Sequence, residues 1–145
     1  MTDPRHIPTI GLTLLAALLV VAPVQTESQE ISPEDRAAIE AGPSARPFTI
    51  PPTIANRDEV VQALMREYPP ALRDARIGGE VVVWFYISDV GRVLHSEVHR
   101  SSGREDLDQA ALKVADVFRF TSAIDPEGER PIAAWVRLPI TFSLR

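Results

Sequence analysis

Cysteine is absent from this chain of 145 residues, and its absence removes several classes of function at once. Without a thiol there is no disulfide, no thiolate metal site, no cysteine nucleophile and no lipidated cysteine anchor. The chain also lacks a basic stripe, since its formal net charge is −5 and residues 66–145 carry eleven basic against twelve acidic side chains. Proteins hold phosphate backbones through clustered Lys and Arg, so we expect no nucleic-acid binding.

Recognised catalytic motifs are missing as well. The sequence contains neither a phosphate-binding loop nor a dinucleotide fingerprint, and we expect no cofactor. The pair Ser101-Ser102 lacks the strand-to-helix context of a nucleophilic serine and has no histidine predicted beside it, which indicates a loop that leads into a helix. We therefore assign no catalytic residue and expect a protein that is not an enzyme.

The first 24 residues carry an apolar run without charge, residues 10–24, which follows Arg5 and His6. A run of about 15 residues lies between the core of a signal peptide and the roughly 20 residues that cross a bilayer. The alternatives are a signal peptide, which we prefer, and a retained inner-membrane anchor. Both place the rest of the chain in the periplasm.

Residues 25–56 are predicted to form a proline-rich linker. Proline lacks a backbone donor and favours extended conformations in the residue before it. One short helical turn is predicted inside the linker, because Ser32 can cap a helix that begins with Pro33 and two acidic residues. The folded domain is then expected over residues 57–145.

The domain shows helical and strand periodicity in alternation. Val60, Val61, Leu64 and Met65 recur at helical spacing, and the later strand segments are rich in β-branched and aromatic residues. The predicted elements are a helix over residues 57–67, a helical turn over 71–77, strands over 80–87 and 93–100, a helix over 105–118 and a strand over 132–144. This order predicts an α+β fold.

Six short strings in this order resemble the TonB C-terminal domain family over residues 68–144. They are Tyr68-Pro69, Gly79 before Val81-Val82-Val83, the turn at residues 89–93 with Gly91, Ser101-Ser102-Gly103, Leu107-Asp108-Gln109-Ala110-Ala111, and Phe118-Arg119-Phe120. The resemblance implies a β-β-α-β core preceded by a helix, with a three-stranded antiparallel sheet and helices packed on one face. In the family, this periplasmic domain adds to its sheet a short peptide segment, the TonB box, of an outer-membrane transporter.

Two departures from the family pattern argue against direct energy transduction, and a third departure is smaller. The family's transducers carry a histidine within the membrane helix, whereas His6 precedes the apolar run. Residues 25–66 span at most ~140 Å at about 3.3 Å per residue, whereas transducers have a long charged spacer. Residues 121–123 read Thr-Ser-Ala where the family usually has a proline. The alternatives to a binding module are a membrane-anchored transducer and an assembly module that forms a homodimer through the same strand.

Pro139 lies inside the last predicted strand. A proline is tolerated in a sheet almost only on an edge, so this strand should be an edge that can accept an added peptide strand. The alternative is that Pro139 only protects the edge from aggregation. The partner-binding residues that we predict on this strand and on the sheet face are Trp135, Arg137, Pro139, Thr141, Ser143, Trp84 and Tyr86.

Trp84, Tyr86 and Trp135 are expected to form an aromatic patch on the sheet face opposite the helices. Residues 48 and 50–54, a partner or a second copy of the chain could each cover it. His95, Glu97 and His99 share one face of the second strand, but two residues four apart on a strand stand roughly 13 Å from one another, too far for one metal ion. We expect a solvated face there and no metal site.

Overall fold

The computed structural model describes residues 31–43 and 48–144, and all of these belong to one compact unit, Ile31–Arg145. The elements in these ranges are α1 (Pro33–Glu40), α2 (Arg57–Glu67), α3 (Pro70–Asp74), β1 (Gly79–Ile87), β2 (Val93–Arg100), α4 (Glu105–Ala115), β3 (Ala123–Ile124), β4 (Pro131–Ile132) and β5 (Ala134–Phe142). The apolar run at residues 10–24 and His6 lie outside the described residues. Across the described part of the chain, every helix is too short or too polar to cross a membrane.

The main sheet has the strand order β2-β1-β5, and both pairings are antiparallel. β1 and β5 pair without interruption from Gly79 opposite Phe142 to Ile87 opposite Ala134. The pairing of β1 with β2 shifts register twice, and in both places the extra residue belongs to β2. The predicted three-stranded antiparallel sheet is confirmed, and β5 is an edge strand as the position of Pro139 indicated.

The core lies between one face of this sheet and the helices α2 and α4. Alternate residues of β1 point to that face, and Phe85 and Ile87 are fully buried there. Val60 and Ala63 of α2 and the apolar face of α4 complete the same cluster. This arrangement confirms the predicted helical layer.

A helix also lies on the opposite face of the sheet, which the sequence did not predict. α1 begins at the predicted cap, where the Ser32 hydroxyl accepts a hydrogen bond from the Asp35 N–H at 3.1 Å. The Tyr86 hydroxyl donates to Oδ1 of Asp35 at 2.9 Å, and Nε1 of Trp135 donates to the Ala38 carbonyl at 3.4 Å. The predicted turn is therefore a full helix that contacts β1 and β5.

The end of the predicted linker packs against the same unit. Ile50 forms an isolated bridge with Ile124, and Ile54 forms one with Phe120. Phe48 and Ile54 are partly buried against the core cluster. Residues 48–56 thus lie beside the domain that we expected to begin at residue 57.

A small hairpin of β3 and β4 lies between α4 and β5. Inside it the buried Asp125 carboxylate accepts the N–H of Glu129 at 3.0 Å, and this hydrogen bond lowers the pKa of Asp125 below its ordinary value. Leu144, which the predicted strand over residues 132–144 included, is 48% exposed, and β5 ends at Phe142.

Candidate functional site

The outer edge of β5 is a row of backbone groups that pair with no strand of the described sheet. Pro139 stands opposite Val82 in the ladder, and its nitrogen has no hydrogen to donate. A Cβ on Gly78 would collide with the carbonyl oxygen of Phe142, which places that oxygen on the β1 side. N–H and C=O groups alternate in direction along an antiparallel strand, so residues of even number bond to β1 and residues of odd number face outward.

The outward set coincides with the residues that we predicted on this strand. Trp135, Arg137 and Thr141 present an N–H and a C=O each, whereas Pro139 presents only a carbonyl. Ser143 follows directly after β5 and is exposed. These three outward N–H groups, interrupted at Pro139, are available for hydrogen bonds with an added extended chain.

The other edge of the sheet differs in shape and charge. The two register shifts insert Leu94 and His99 as extra residues on β2, and such bulges twist a strand and interrupt its ladder. β2 also carries Glu97 and Arg100, both exposed. Charged, bulged edges resist pairing with a further strand, so β5 is the edge that is open to addition.

The predicted aromatic patch forms on the face opposite α2 and α4. The ring centroids of Trp84 and Trp135 lie 6.4 Å apart, and those of Tyr86 and Trp135 lie 5.3 Å apart. The Arg137 guanidinium carbon stands 5.4 Å from the Trp84 ring centroid, within the range of a cation–π contact. The patch therefore adjoins the outward-facing residues of β5.

α1 covers one end of this patch. Tyr86 and Trp135 are only 4% and 7% exposed, whereas Trp84 is half-buried. Residues 48 and 50–54, which we considered as the cover, pack instead at the core or pair with Ile124 and Phe120. The patch is covered instead by α1, which belongs to another part of the predicted linker. The sequence indicated this helix but not its position.

The two histidines of β2 flank the aromatic patch. The His99 ring centroid lies 5.7 Å from that of Trp84, and the His95 centroid lies 6.0 Å from that of Trp135. Nε2 of His95 stands 3.6 Å from a carboxylate oxygen of Glu97. In the ranges 31–43 and 48–144, no three His, Asp or Glu side chains converge as a metal site would require.

The residues that carry the family resemblance hold the fold together. The Tyr68 hydroxyl donates to the carbonyl of Ile77 at 3.0 Å, its ring packs 5.4 Å from that of Phe142, and Pro69 precedes the first residue of α3. Gly91 has a φ of 78°, and a Cβ there would collide with the carbonyl of Phe120. Leu107, Ala110 and Phe120 belong to the buried core.

A cluster of hydrogen bonds fixes the loop before α4. Ser102 donates to Oδ1 of Asp108 through its N–H and its hydroxyl, each at 2.9 Å, and the Ser101 hydroxyl donates to Oδ2. Desolvation raises the pKa of Asp108, but the three hydrogen bonds outweigh it and hold the pKa below its ordinary value. Gly103 follows with a φ of 82°, which favours glycine. The two serines thus have a structural role in this loop.

One feature beside β5 was not predicted. A groove of about 800 Å³ lies between α2 and the end of β5, lined in part by Val61, Leu64, Met65 and Leu144. Its signal was present in the sequence, since Val61, Leu64 and Met65 recur at helical spacing. We predicted only an amphipathic helix from this spacing, and in the structure Val61 is 48% exposed and Met65 is 69% exposed.

Comparison with known proteins gives one consistent result. Residues 65–144 match the family described as the Gram-negative bacterial TonB protein C-terminal. Protein TonB of Xanthomonas campestris pv. campestris is 36% identical over 78 residues, which cover 54% of this chain and 34% of the relative. Protein tonB2 of Pseudomonas aeruginosa is 35% identical over 78 residues, or 54% of this chain and 28% of the relative. The chain spans about a third of the length of these curated relatives.

Two solved structures are similar to the chain. The solution structure of the Helicobacter pylori TonB C-terminal domain has a TM-score of 0.40 at 25% identity and covers 81% of this chain and 98% of its own. The structure of the HasB C-terminal domain has a TM-score of 0.41 at 26% identity and covers 84% and 96%.

Proposed function

Because this chain belongs to the TonB C-terminal family, we propose that it is a protein-binding module that adds an extended peptide segment to the outer edge of β5. The single observation that carries the proposal is the alternation on β5, which turns the backbone groups of Trp135, Arg137 and Thr141 away from β1. A peptide strand needs such a row of donors and acceptors, and most of its affinity comes from main-chain hydrogen bonds.

Side chains on the adjoining sheet face give the peptide its second set of contacts. Residues of odd number on β5 share their face with Trp84 and Tyr86, and Arg137 already lies over the Trp84 ring. Aromatic side chains beside an open edge supply large contact areas at low entropic cost. We assign Trp135, Arg137, Pro139, Thr141 and Ser143, with Trp84, to this binding role, and we assign no catalytic residue. Tyr86, which we also predicted there, is covered by α1 and packs against Trp135, so its role is to support the patch.

The partners we propose are peptide segments of outer-membrane transporters, met in the periplasm. The resemblance to the family supports this choice, and the apolar run at residues 10–24 is consistent with export or with an inner-membrane anchor. An adaptor without direct force transmission fits the position of His6 before that run. A full-length, membrane-bound chain in the native host would favour the anchored transducer instead.

Amide hydrogen exchange tests the proposal on the full chain. The probe is a synthetic peptide that copies the N-terminal segment of an outer-membrane transporter from the same organism. We expect the amides of Trp135, Arg137 and Thr141 to exchange more slowly when the peptide is added, while those of Leu138 and Ile140, already bonded to β1, stay unchanged. Protection confined to β2, or no change on β5, would refute pairing at this edge.

Sedimentation of the chain without peptide tests the alternative that the β5 edge forms a homodimer. If the same β5 edge pairs with a second copy, the sedimentation coefficient rises with protein concentration and the three outward amides are protected before any peptide is added. A concentration-independent monomer with unprotected outward amides is the expected result for a peptide-binding edge.

A further inference from the structure

α2 carries two apolar stripes, of which the second is only partly buried. Val60 and Ala63 are buried against α4 and the sheet. Val61, Leu64 and Met65 form the second stripe, in which Leu64 packs partly against the core while Val61 is 48% exposed and Met65 is 69% exposed. Large apolar side chains exposed together beside a groove are typical of a surface that another chain covers.

The second stripe forms one wall of the groove between α2 and β5, and the end of β5 forms the other. Phe142 is buried, whereas Leu144 beyond it is 48% exposed and lines the same space. At about 800 Å³, the groove has room for one or two large side chains. The groove is therefore a mainly apolar recess next to the outward-facing backbone of β5.

The groove lies beside the open edge of β5, and this position favours an extended peptide as its occupant. A strand added to β5 lies about 4.8 Å away and sends alternate side chains to the two faces of the sheet. One row lies over the aromatic patch. The other row extends the line of Ile140, Phe142 and Leu144 and meets the exposed stripe of α2.

We infer that this groove selects extended peptides with a large apolar residue, such as Leu, Ile, Met or Phe, in the row that faces α2 at the end of β5. The inference rests on the proposed addition of a peptide strand and goes beyond it by naming which residue the peptide must carry. Burying one such side chain improves affinity by roughly 10- to 100-fold over serine at the same position.

Selection from a random library tests the inference without a known ligand. Nine-residue random peptides displayed on phage are selected against the full chain, against Met65→Glu and against Val90→Glu. Val90 is the matched control, because it is 66% exposed, lies in the turn between β1 and β2, and gains the same charge. Both substitutions are at exposed positions, so both variants should fold as the wild type does.

The expected outcome is that wild type and Val90→Glu enrich the same large apolar residue at one position, and that Met65→Glu loses this preference. For a selected peptide, replacing that residue by Ser should weaken binding to wild type about 10-fold or more, and binding to Met65→Glu less than 3-fold.

Two other outcomes overturn the inference and differ from each other. If the enriched peptides protect the outward amides of β5 but show no preferred apolar residue, selection by the groove is refuted while strand addition is supported. A library that yields no peptide for the wild-type chain would refute strand addition together with the groove.

Discussion

A methyl group added at Gly79 would lie 2.9 Å from Cδ1 of Leu107 and 3.2 Å from Cβ of Ser102. Gly79 begins β1 on the face that packs against α4, and Leu107 is fully buried there. We expect Gly79→Ala to destabilise the domain by about 1–3 kcal/mol, as overpacking does. Leu107→Ala removes the side chain that causes the tightest contact and should cost about 2–5 kcal/mol through its cavity.

The double variant shows whether the two single substitutions lower stability through this contact or independently of each other. Without the Leu107 side chain the added methyl group has space, so the pair should be less destabilised than the sum of the single variants by about 1–2 kcal/mol. Urea unfolding followed by the fluorescence of Trp84 and Trp135 gives each free energy of unfolding. Gly128→Ala combined with Leu107→Ala is the control, since a Cβ at Gly128 meets no atom within 4 Å.

Additivity within about 0.5 kcal/mol for the Gly79 and Leu107 pair would refute the packing described at the start of β1. An equally large coupling between Gly128→Ala and Leu107→Ala would instead indicate an effect on the denatured state. The coupling at Gly79 would then no longer support a contact between Gly79 and Leu107.

Three further predictions address α1, the loop before α4 and the sheet. Asp35→Ala should cost about 1 kcal/mol and shift the fluorescence of Trp135 to longer wavelength, because the helix loses its hydrogen bond to the sheet; an unchanged spectrum would contradict the contact. Since the folded-state pKa of Asp108 is lowered, its contribution to stability is complete above the unfolded pKa of about 3.9 and declines as pH falls below it. Asp108→Asn should therefore lose less stability than the wild type as pH falls below about 4, and equal losses in the two proteins would contradict this role of Asp108. Ile140→Asp should unfold the domain by burying an unpaired charge, whereas Trp84→Ala should keep circular dichroism unchanged and weaken peptide binding; equal loss of stability in both would remove the role of the sheet face.

Much of the fold follows from local patterns in the sequence. The bounds of α2 and β2 agree with the predicted ones, because capping residues, prolines and the turn at Gly91 mark where they start and stop. Pro139 identified β5 as an edge, since a missing donor is a physical constraint that a central strand cannot accept. Strand alternation also identified which residues face the helices.

The features that were missed depend on contacts between distant segments. Helical periodicity shows that Val61 and Met65 lie on one side of α2, but it does not show which of two neighbouring stripes meets the core. The location of α1 depends on two hydrogen bonds to Tyr86 and Trp135, far away along the chain. The two-residue strands of the β3 and β4 hairpin are too short to show alternation.

The most direct test of strand addition is calorimetric titration with N-methylated peptides. A transporter segment that binds the full chain is synthesised in two forms, with N-methyl groups on two alternate residues or on the two residues that follow them. Only one set of N–H groups can face β5, so we expect one form to bind at least about 10-fold more weakly and the other to bind within about 3-fold of the parent. Equal affinity for both forms, whether strong or weak, would contradict pairing along the β5 edge.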